Sequence, residues 1–209
     1  MLSGLQRRVA ALVAGVPEAE GFALAGGAAL IARGDVDRVT RDLDFFGLSA
    51  EAVDRLLPAV EAVLKRAGLS VQRVQVSAGF ARLIVSDAEG RTELDLAADA
   101  RLFPAEAGEP APMLSGEELA VDKLLALFGR AEARDFIDLM AVEPLYGLER
   151  LCRLAVQKDT GFNPAVLVEM MGRFDRLRPD EFGVDERDYA ALKQAVERWR
   201  RRVVAPGGE

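Results

Sequence analysis

The first half of the chain mixes two kinds of hydrophobic pattern. Apolar residues recur at helical spacing over 5–14 and 50–67, and a short helical run follows Gly26. A spacing near 3.6 residues predicts amphipathic helices, whereas short apolar runs and strict alternation predict strands. We therefore expect a sheet of about five strands with helices packed on it, the strands lying at 22–26, 41–46, 70–77, 79–86 and 91–97.

The second half has helical periodicity throughout. Residues 99–114 lose all periodicity and contain three prolines, which indicates a boundary loop. Ser115 and Glu118 then form a capping-box sequence that opens a helix. The fold class predicted is α+β, with an α/β domain over 1–103 and an all-helical domain over 104–209. The further helices are predicted at about 131–142, 145–158, 164–177 and 186–204.

Composition narrows the chemistry. The 209 residues include no histidine and one cysteine, Cys152, which excludes an internal disulfide, the usual zinc sites and His-based triads. A net charge of −7 argues against general nucleic-acid binding but permits a local basic patch. No apolar run approaches the roughly 20 residues that span a bilayer, and no signal peptide is evident, so we expect a soluble, cytoplasmic protein. Any chemistry has to use carboxylates, Lys, Arg or backbone amides.

Two acids flank Leu43 on the strand predicted at 41–46. Asp42 and Asp44 would point the same way, within roughly 7 Å of each other. Such like charges repel, and a divalent ion such as Mg²⁺ or Mn²⁺ would relieve the repulsion. The strand at 91–97 offers a third carboxylate, for which Asp95 is slightly preferred to Glu93 because it lies nearer the strand's end. Each pattern taken alone also describes an ordinary exposed strand face.

A glycine pair, Gly26 and Gly27, joins the first strand to the helix after it. Without side chains, a phosphate can approach amides at the positive end of that helix, although a bare pair is also typical of a tight turn. The order of strand, glycine pair, helix, Asp-x-Asp strand and a later acidic strand strengthens the functional interpretation. It supplies a triphosphate cradle and carboxylates for two metal ions in one module.

Two stretches of the chain resemble a known family. The first comprises Gly26–Leu30 with Arg38–Phe46, and the second comprises Leu119–Leu127 with Arg130 and Arg134–Leu139. Together they resemble motifs of the AbiEii/AbiGii-type nucleotidyltransferases, toxins of bacterial toxin–antitoxin and phage-defence systems. The resemblance implies a mixed-sheet, polymerase-β-like nucleotidyltransferase domain joined to a helical domain. It also implies nucleotide transfer from a nucleoside triphosphate, in some members onto tRNA 3′ ends.

The resemblance also assigns roles to particular residues. It implies that Lys123 neutralises the triphosphate and that Asp138 completes the site from the helical domain. Ala28 stands where the family usually has Ser or Thr, so a side-chain donor to phosphate is missing and we expect weak activity. The implied catalytic residues are Asp42, Asp44, Asp95, Lys123 and Asp138, the first three of them as metal ligands. The implied nucleotide-binding residues are Gly26, Gly27, Ala28, Arg38, Thr40, Lys123, Arg134 and Asp135.

Spacing alone leaves these helical residues with two interpretations each. Lys123 flanks the buried stripe of its helix, so its ammonium either reaches a cleft or is an ordinary solvated lysine. Asp135 and Asp138 are three residues apart and share a helical face, where surface ion pairs with Arg134 would contribute little. The family match favours the functional interpretation, with Arg134 or Asp135 fixing this helix against the catalytic half.

The C-terminal helix concentrates positive charge. Five basic residues oppose one acid, Glu197, between residues 193 and 202, a local charge of +4. Trp199 lies within this run and could stack on an unpaired base; alternatively it anchors the helix and the arginines form a solvated face. The RNA-binding residues predicted are Arg198, Trp199, Arg200, Arg201 and Arg202.

The functional prediction combines these features. We expect a metal-dependent enzyme that transfers a nucleoside monophosphate from ATP, GTP or CTP to tRNA, as the toxin partner of a cognate antitoxin. Nucleotidyl transfer to a small molecule is one alternative. A non-catalytic nucleotide-binding or interaction protein is the other.

Overall fold

The computed structural model describes residues 1–204, which divide into two compact units, Met1–Leu119 and a second beginning at Ala120. This division lies later than the predicted boundary after residue 103. The reason is a pair of backbone hydrogen bonds, from Leu24 N to Pro112 O (2.7 Å) and from Leu114 N to Leu24 O (2.9 Å). They hold the proline-rich segment against the first strand, so that segment belongs with the sheet.

The first unit is built on one five-stranded sheet with the order β1-β2-β5-β4-β3. Neighbouring strands are antiparallel except β2 and β5, which are parallel, so the predicted mixed sheet of about five strands is confirmed. The elements in chain order are α1 (Gly4–Ala14), β1 (Ala23–Ala25), α2 (Gly26–Arg33), β2 (Asp42–Gly47), α3 (Ala50–Arg66), β3 (Ser70–Ser77), β4 (Phe80–Ser86) and β5 (Arg91–Ala98).

One face of the sheet carries the core of this unit. Along β2 and β5 every second residue is apolar and at most 1% exposed, namely Leu43, Phe45, Leu94 and Leu96. These side chains face α1 and α3, and α3 in turn buries a stripe at helical spacing that includes Leu56. Because side chains alternate along a strand, the residues between them project from the opposite face.

Glu118 ties the start of α4 (Gly116–Gly129) to the segment that follows β5. The predicted cap by Ser115 is confirmed, since the Glu118 amide donates to its Oγ at 3.2 Å. The Glu118 carboxylate is fully buried and accepts from the amides of Leu102 (2.8 Å) and Phe103 (2.9 Å). Glu118 therefore satisfies two backbone amides of the loop that follows β5.

Helices form the second unit as far as the structure describes it. The helix predicted over 164–177 ends earlier, and Gly172–Arg176 continues as a 3₁₀ turn. An aromatic cluster holds this region together: Phe174 lies 5.3 Å from Phe136 and 5.6 Å from Tyr189 between ring centres. The α-helices are α5 (Ala133–Tyr146), α6 (Leu148–Lys158), α7 (Pro164–Met171) and α8 (Glu186–Val204). Across the described chain, no helix combines the length and the apolar composition that crossing a bilayer requires.

Candidate active site

Four acidic side chains lie on the open face of β2 and β5. In the parallel register Asp44 is opposite Asp95 and Asp42 is opposite Glu93. Neighbouring strands lie about 4.8 Å apart, so side chains that are opposite each other and on the same face are direct neighbours. The structure thus brings the predicted residues Asp42, Asp44 and Asp95 side by side. We call these three residues and Glu93 the acidic face.

An arginine that the sequence analysis did not single out is paired with the acidic face. Arg82 lies opposite Asp95 on β4, and its Nε and Nη2 donate to Asp95 Oδ1 (2.8 Å) and Oδ2 (2.6 Å). Its Nε is also 3.6 Å from Glu93 Oε2. The hydrogen bonds with Asp95 raise the pKa of Arg82 above its usual value. The guanidinium therefore stays charged at every pH at which the protein is folded.

The acidic face suits a divalent cation in its chemistry, since carboxylate oxygens are the ligands that Mg²⁺ and Mn²⁺ prefer. Asp42 and Asp44 are half-buried and Asp95 is buried. Both oxygens of Asp95 hydrogen-bond with Arg82. Within residues 1–204, no three acidic or cysteine side chains are arranged as a ready metal site. A metal ion ligated by all three aspartates would therefore have to share the Asp95 carboxylate with Arg82 or displace Arg82 from it.

The glycine pair provides room for two polar side chains. Gly26 has φ +60°, and a Cβ built on it would overlap Asp44 Oδ2. A Cβ on Gly27 would come within 2.5 Å of Arg38 Nη2. The two glycines therefore let the Asp44 carboxylate and the Arg38 guanidinium approach the N-terminus of α2 closely.

Two other residues predicted to bind nucleotide, Ala28 and Thr40, differ in their surroundings. Ala28 is 0% exposed, so neither its amide nor its Cβ can touch a phosphate in this structure, and the predicted contact is wrong. The Thr40 hydroxyl lies 3.4 Å from the Asp42 amide, at the start of β2. Gly26 and Arg38 are half-buried and keep access to solvent beside Asp44.

In the helical unit, Lys123 of α4 and Asp138 of α5 form a buried ion pair. Lys123 Nζ lies 2.8 Å from Asp138 Oδ2, and their side chains are 7% and 0% exposed. The interpretation of Lys123 as a solvated surface lysine is therefore wrong. A second pair lies next to it in sequence, because Lys158 donates to Asp122 Oδ1.

Asp135 is fully buried at the start of α5, and both of its carboxylate oxygens accept hydrogen bonds there. Its oxygens accept from Arg130 Nε (2.9 Å) and Nη2 (2.8 Å), and its Oδ2 also accepts from the Glu132 amide (3.1 Å). Direct contact of Asp135 with a nucleotide is therefore contradicted, because these bonds use its carboxylate to cap the helix. Arg134 pairs with Glu132 at 3.0 Å on the surface, where such a pair contributes little.

The basic run of α8 divides into buried, paired and open residues. Trp199 is 1% exposed, so the prediction that its ring stacks on a base is wrong; it packs inside the helical unit. Arg200 donates to Met171 O (2.6 Å) and Asp175 (3.0 Å), while Arg202 pairs with acids of α5 and α6 at 2.9 and 2.6 Å. Arg198 and Arg201 are exposed and three residues apart, on one side of the helix.

A mixed sheet whose Asp-x-Asp strand adjoins a glycine-opened helix, followed by a helical region, defines a nucleotidyltransferase fold. The family described as "Nucleotidyl transferase AbiEii toxin, Type IV TA system" matches residues 10–205. The chain belongs to this family of nucleotidyltransferase toxins. The resemblance found in the two sequence motifs is thereby confirmed.

Solved structures agree with this assignment at the level of the fold. The chain is similar to JHP933 from Helicobacter pylori at 21% identity and a TM-score of 0.53, over 97% of this chain and 90% of that one. It is also similar to MenT4, the nucleotidyltransferase toxin Rv2826c from Mycobacterium tuberculosis H37Rv. There the identity is 19% and the TM-score 0.59, over 98% of this chain and 83% of the toxin. No curated protein matches the sequence.

Proposed function

We propose that the protein transfers a nucleoside monophosphate from a nucleoside triphosphate to a hydroxyl of tRNA, with a divalent metal ion held at Asp42 and Asp44. It acts in the cytoplasm as a toxin that a cognate antitoxin restrains. The observation that carries the proposal is the register of β2 and β5, which puts Asp44 opposite Asp95 and beside Gly26. The carboxylates of the acidic face therefore lie next to the N-terminus of α2, where phosphate groups can bind.

The reaction forms one bond and breaks one. The acceptor oxygen attacks the α-phosphorus, the new P–O bond forms, the bond between the α- and β-phosphates breaks, and pyrophosphate leaves with its electron pair. The hydroxyl proton passes to water. A bound divalent ion supplies charge neutralisation to such phosphates and polarises the phosphorus. Of this chain's own groups, Arg38 and the amide end of α2 at Gly26 bind the triphosphate oxygens.

Gly26 makes room for Asp44 in this scheme. Since a Cβ at position 26 would overlap Asp44 Oδ2, only glycine lets that carboxylate lie against the start of α2. Asp42, two residues earlier on the same strand face, then points in parallel with it. The proposal assigns Asp42 and Asp44 to holding the metal ion.

The proposal includes Lys123 and Asp138 as a catalytic lysine and the residue that positions it. Both lie in the second motif of the family. Asp138 holds the Lys123 ammonium at 2.8 Å in a nearly water-free environment, which limits the lysine to few rotamers. A lysine ammonium has three donors, so it can keep this bond while donating to a phosphate oxygen.

The experiment that tests the function is an incubation with each labelled nucleoside triphosphate, Mg²⁺ and total tRNA, followed by separation on a denaturing gel. We expect label on tRNA with one or more of the four nucleotides and none when Mg²⁺ is chelated. If tRNA stays unlabelled and the label appears instead on a small molecule of an RNA-free extract, the acceptor is a small molecule and not tRNA. Absence of transfer to both would refute the enzyme function.

The open arginines of α8 give a prediction about tRNA. Replacing Arg198 and Arg201 by alanine should weaken tRNA binding and lower the slope of log Kd against log salt by about two, roughly one unit per lost phosphate contact. Filter binding over a salt series measures both quantities.

A matched control is the double replacement of Arg200 and Arg202, whose guanidinium groups pair with groups of this chain. This control should leave the salt slope near that of the unchanged protein. Equal slopes for all three proteins would place the tRNA surface away from α8.

A further inference from the structure

We infer that Arg82 is a positioning residue that holds Asp95 until a divalent metal ion replaces it, so that metal and arginine compete for one carboxylate. This inference rests on the proposed function in one respect, that the acidic face binds a divalent cation. It adds that the free protein binds the cation weakly and that the nucleotide strengthens this binding.

The geometry of the pair makes Arg82 a strong competitor. Two parallel hydrogen bonds of 2.8 and 2.6 Å join the guanidinium to Asp95, the strong bidentate arrangement of arginine with a carboxylate. The Asp95 side chain is only 10% exposed, so water cannot substitute fully for either partner. The guanidinium also lies 5.7 Å from the centre of the Phe80 ring, a cation–π contact that fixes it over this part of the sheet.

The surrounding charges explain why the position needs a cation. Asp42, Asp44 and Glu93 share the face with Asp95, and like charges at this spacing repel. Arg82 supplies one positive charge to this cluster, and Asp42 and Glu93 as well as Asp95 act on it electrostatically. A divalent ion supplies two charges and can bridge carboxylates, but it must give up water ligands and bind a carboxylate whose two oxygens already accept hydrogen bonds from Arg82.

Nucleotide binding changes this balance. Triphosphate oxygens add ligands to the metal ion that the protein alone does not provide. They also offer the released guanidinium a new anionic partner. Arg82 therefore disfavours metal binding by the free protein and favours binding of metal and nucleotide together.

A second ion pair, between Arg73 on the same sheet and Glu61, provides a comparison for the Arg82 pair. Arg73 on β3 donates to Glu61 of α3 at 2.7 and 2.8 Å, and the Glu61 side chain is 14% exposed. Geometry and burial thus match those of the Arg82 pair. The Arg73 pair, however, lies away from Asp42 and Asp44, on an edge strand of the sheet. Arg73→Gln is therefore the control for Arg82→Gln.

The test is a titration of the full chain with Mn²⁺ in the absence of nucleotide, followed by the paramagnetic signal of free Mn²⁺. We expect Arg82→Gln to bind Mn²⁺ at least about tenfold more tightly than the unchanged protein, and Arg82→Lys to fall between them. Arg73→Gln should behave like the unchanged protein. Addition of a non-hydrolysable nucleotide should increase the Mn²⁺ affinity of Arg82→Gln less than that of the unchanged protein. Equal Mn²⁺ affinity for Arg82→Gln and the unchanged protein overturns the inference.

Thermal unfolding provides a second readout. Arg82→Gln leaves the buried Asp95 carboxylate without its cation and should lower Tm, because breaking a buried pair is strongly destabilising. Mn²⁺ should restore this loss in Arg82→Gln, and should not restore any loss in Arg73→Gln. Adding Asp95→Asn to Arg82→Gln should abolish both the tight Mn²⁺ binding and the rescue. A Tm loss that Mn²⁺ leaves unchanged would overturn the inference, as would tight binding that survives Asp95→Asn.

These outcomes separate the inference from the proposed function. If the protein transfers nucleotide while Arg82→Gln gains no Mn²⁺ affinity, the inference fails and the function stands. If no nucleotide is transferred but the Mn²⁺ results hold, the competition at Asp95 stands without the enzyme activity.

Discussion

Replacing Asp42 by asparagine is expected to abolish nucleotidyl transfer while leaving the fold intact. Asparagine has nearly the same shape but lacks the charge that would hold a metal ion at the open end of β2. Loss of one group that stabilises charge in a transition state lowers rates by about 10²–10³, and loss of a residue that acts as part of a unit lowers them further. We expect a decrease of at least about a hundredfold.

Asp42→Asn should lower the transfer rate without lowering the stability of the fold. Asp42 lies diagonally across from Asp95 and opposite Glu93, so removing its charge relieves repulsion on the acidic face. The free energy of unfolding should be unchanged or slightly higher. Asp54→Asn is the matched control, since Asp54 is exposed on α3, away from the acidic face. Label transfer to tRNA and denaturant unfolding measure the two effects, and an Asp42→Asn protein with normal turnover would remove Asp42 from the site.

Replacing Lys123 by alanine is expected to lower the free energy of unfolding by about 3–5 kcal/mol, because it leaves the buried Asp138 carboxylate without its partner. The two side chains are 7% and 0% exposed, so water cannot compensate. Arg134→Ala serves as control: its pair with Glu132 is on the surface, and its loss should change stability by less than about 1 kcal/mol. Urea unfolding of the full chain, followed by circular dichroism, measures both. A loss under about 1 kcal/mol for Lys123→Ala would contradict the buried pair.

A double variant separates the structural contribution of this pair from its chemistry. Lys123→Met with Asp138→Leu replaces both charges by apolar groups of similar size, and such replacements of buried pairs are often neutral or stabilising. We therefore expect this protein to fold with near-normal stability and to lose nucleotidyl transfer. Normal transfer by the double variant would mean that the ion pair is structural and that Lys123 does not bind the triphosphate.

The acidic strands could be predicted from the sequence because their signal is local. A period of two in 41–46 and 91–97 is visible without any knowledge of neighbours, and it places acids and apolar residues on opposite faces. The partner of Asp95, by contrast, is set by the pairing of two strands and not by a local pattern. Arg82 stands opposite it through the register of β4 and β5, which follows from the hairpin between them. The sequence predicted this hairpin, and counting back from Ser86 and Arg91 across it would have found Arg82.

Other errors have equally physical causes. Trp199 was assigned by the charge around it, although its spacing from Leu192, Ala195 and Val196 is that of a buried helical stripe. Ala28 is buried, which single-sequence motifs do not reveal. The partner of Lys123 depends on how α4 and α5 pack, a tertiary property for which the sequence holds no local pattern. The partners of Asp135 are local by contrast, because Arg130 and the Glu132 amide lie within five residues of it.

The most direct test of the central claim compares triphosphates labelled at different positions. The protein, Mg²⁺ and tRNA are incubated with nucleotide labelled in the α-phosphate and, separately, in the γ-phosphate, with Asp42→Asn alongside. We expect that only the α-label moves onto tRNA, that pyrophosphate appears in equal amount, and that Asp42→Asn neither transfers label nor releases pyrophosphate. Transfer of the γ-label would instead indicate a kinase, and equal α-label transfer by Asp42→Asn would show that the chemistry does not use the acidic face.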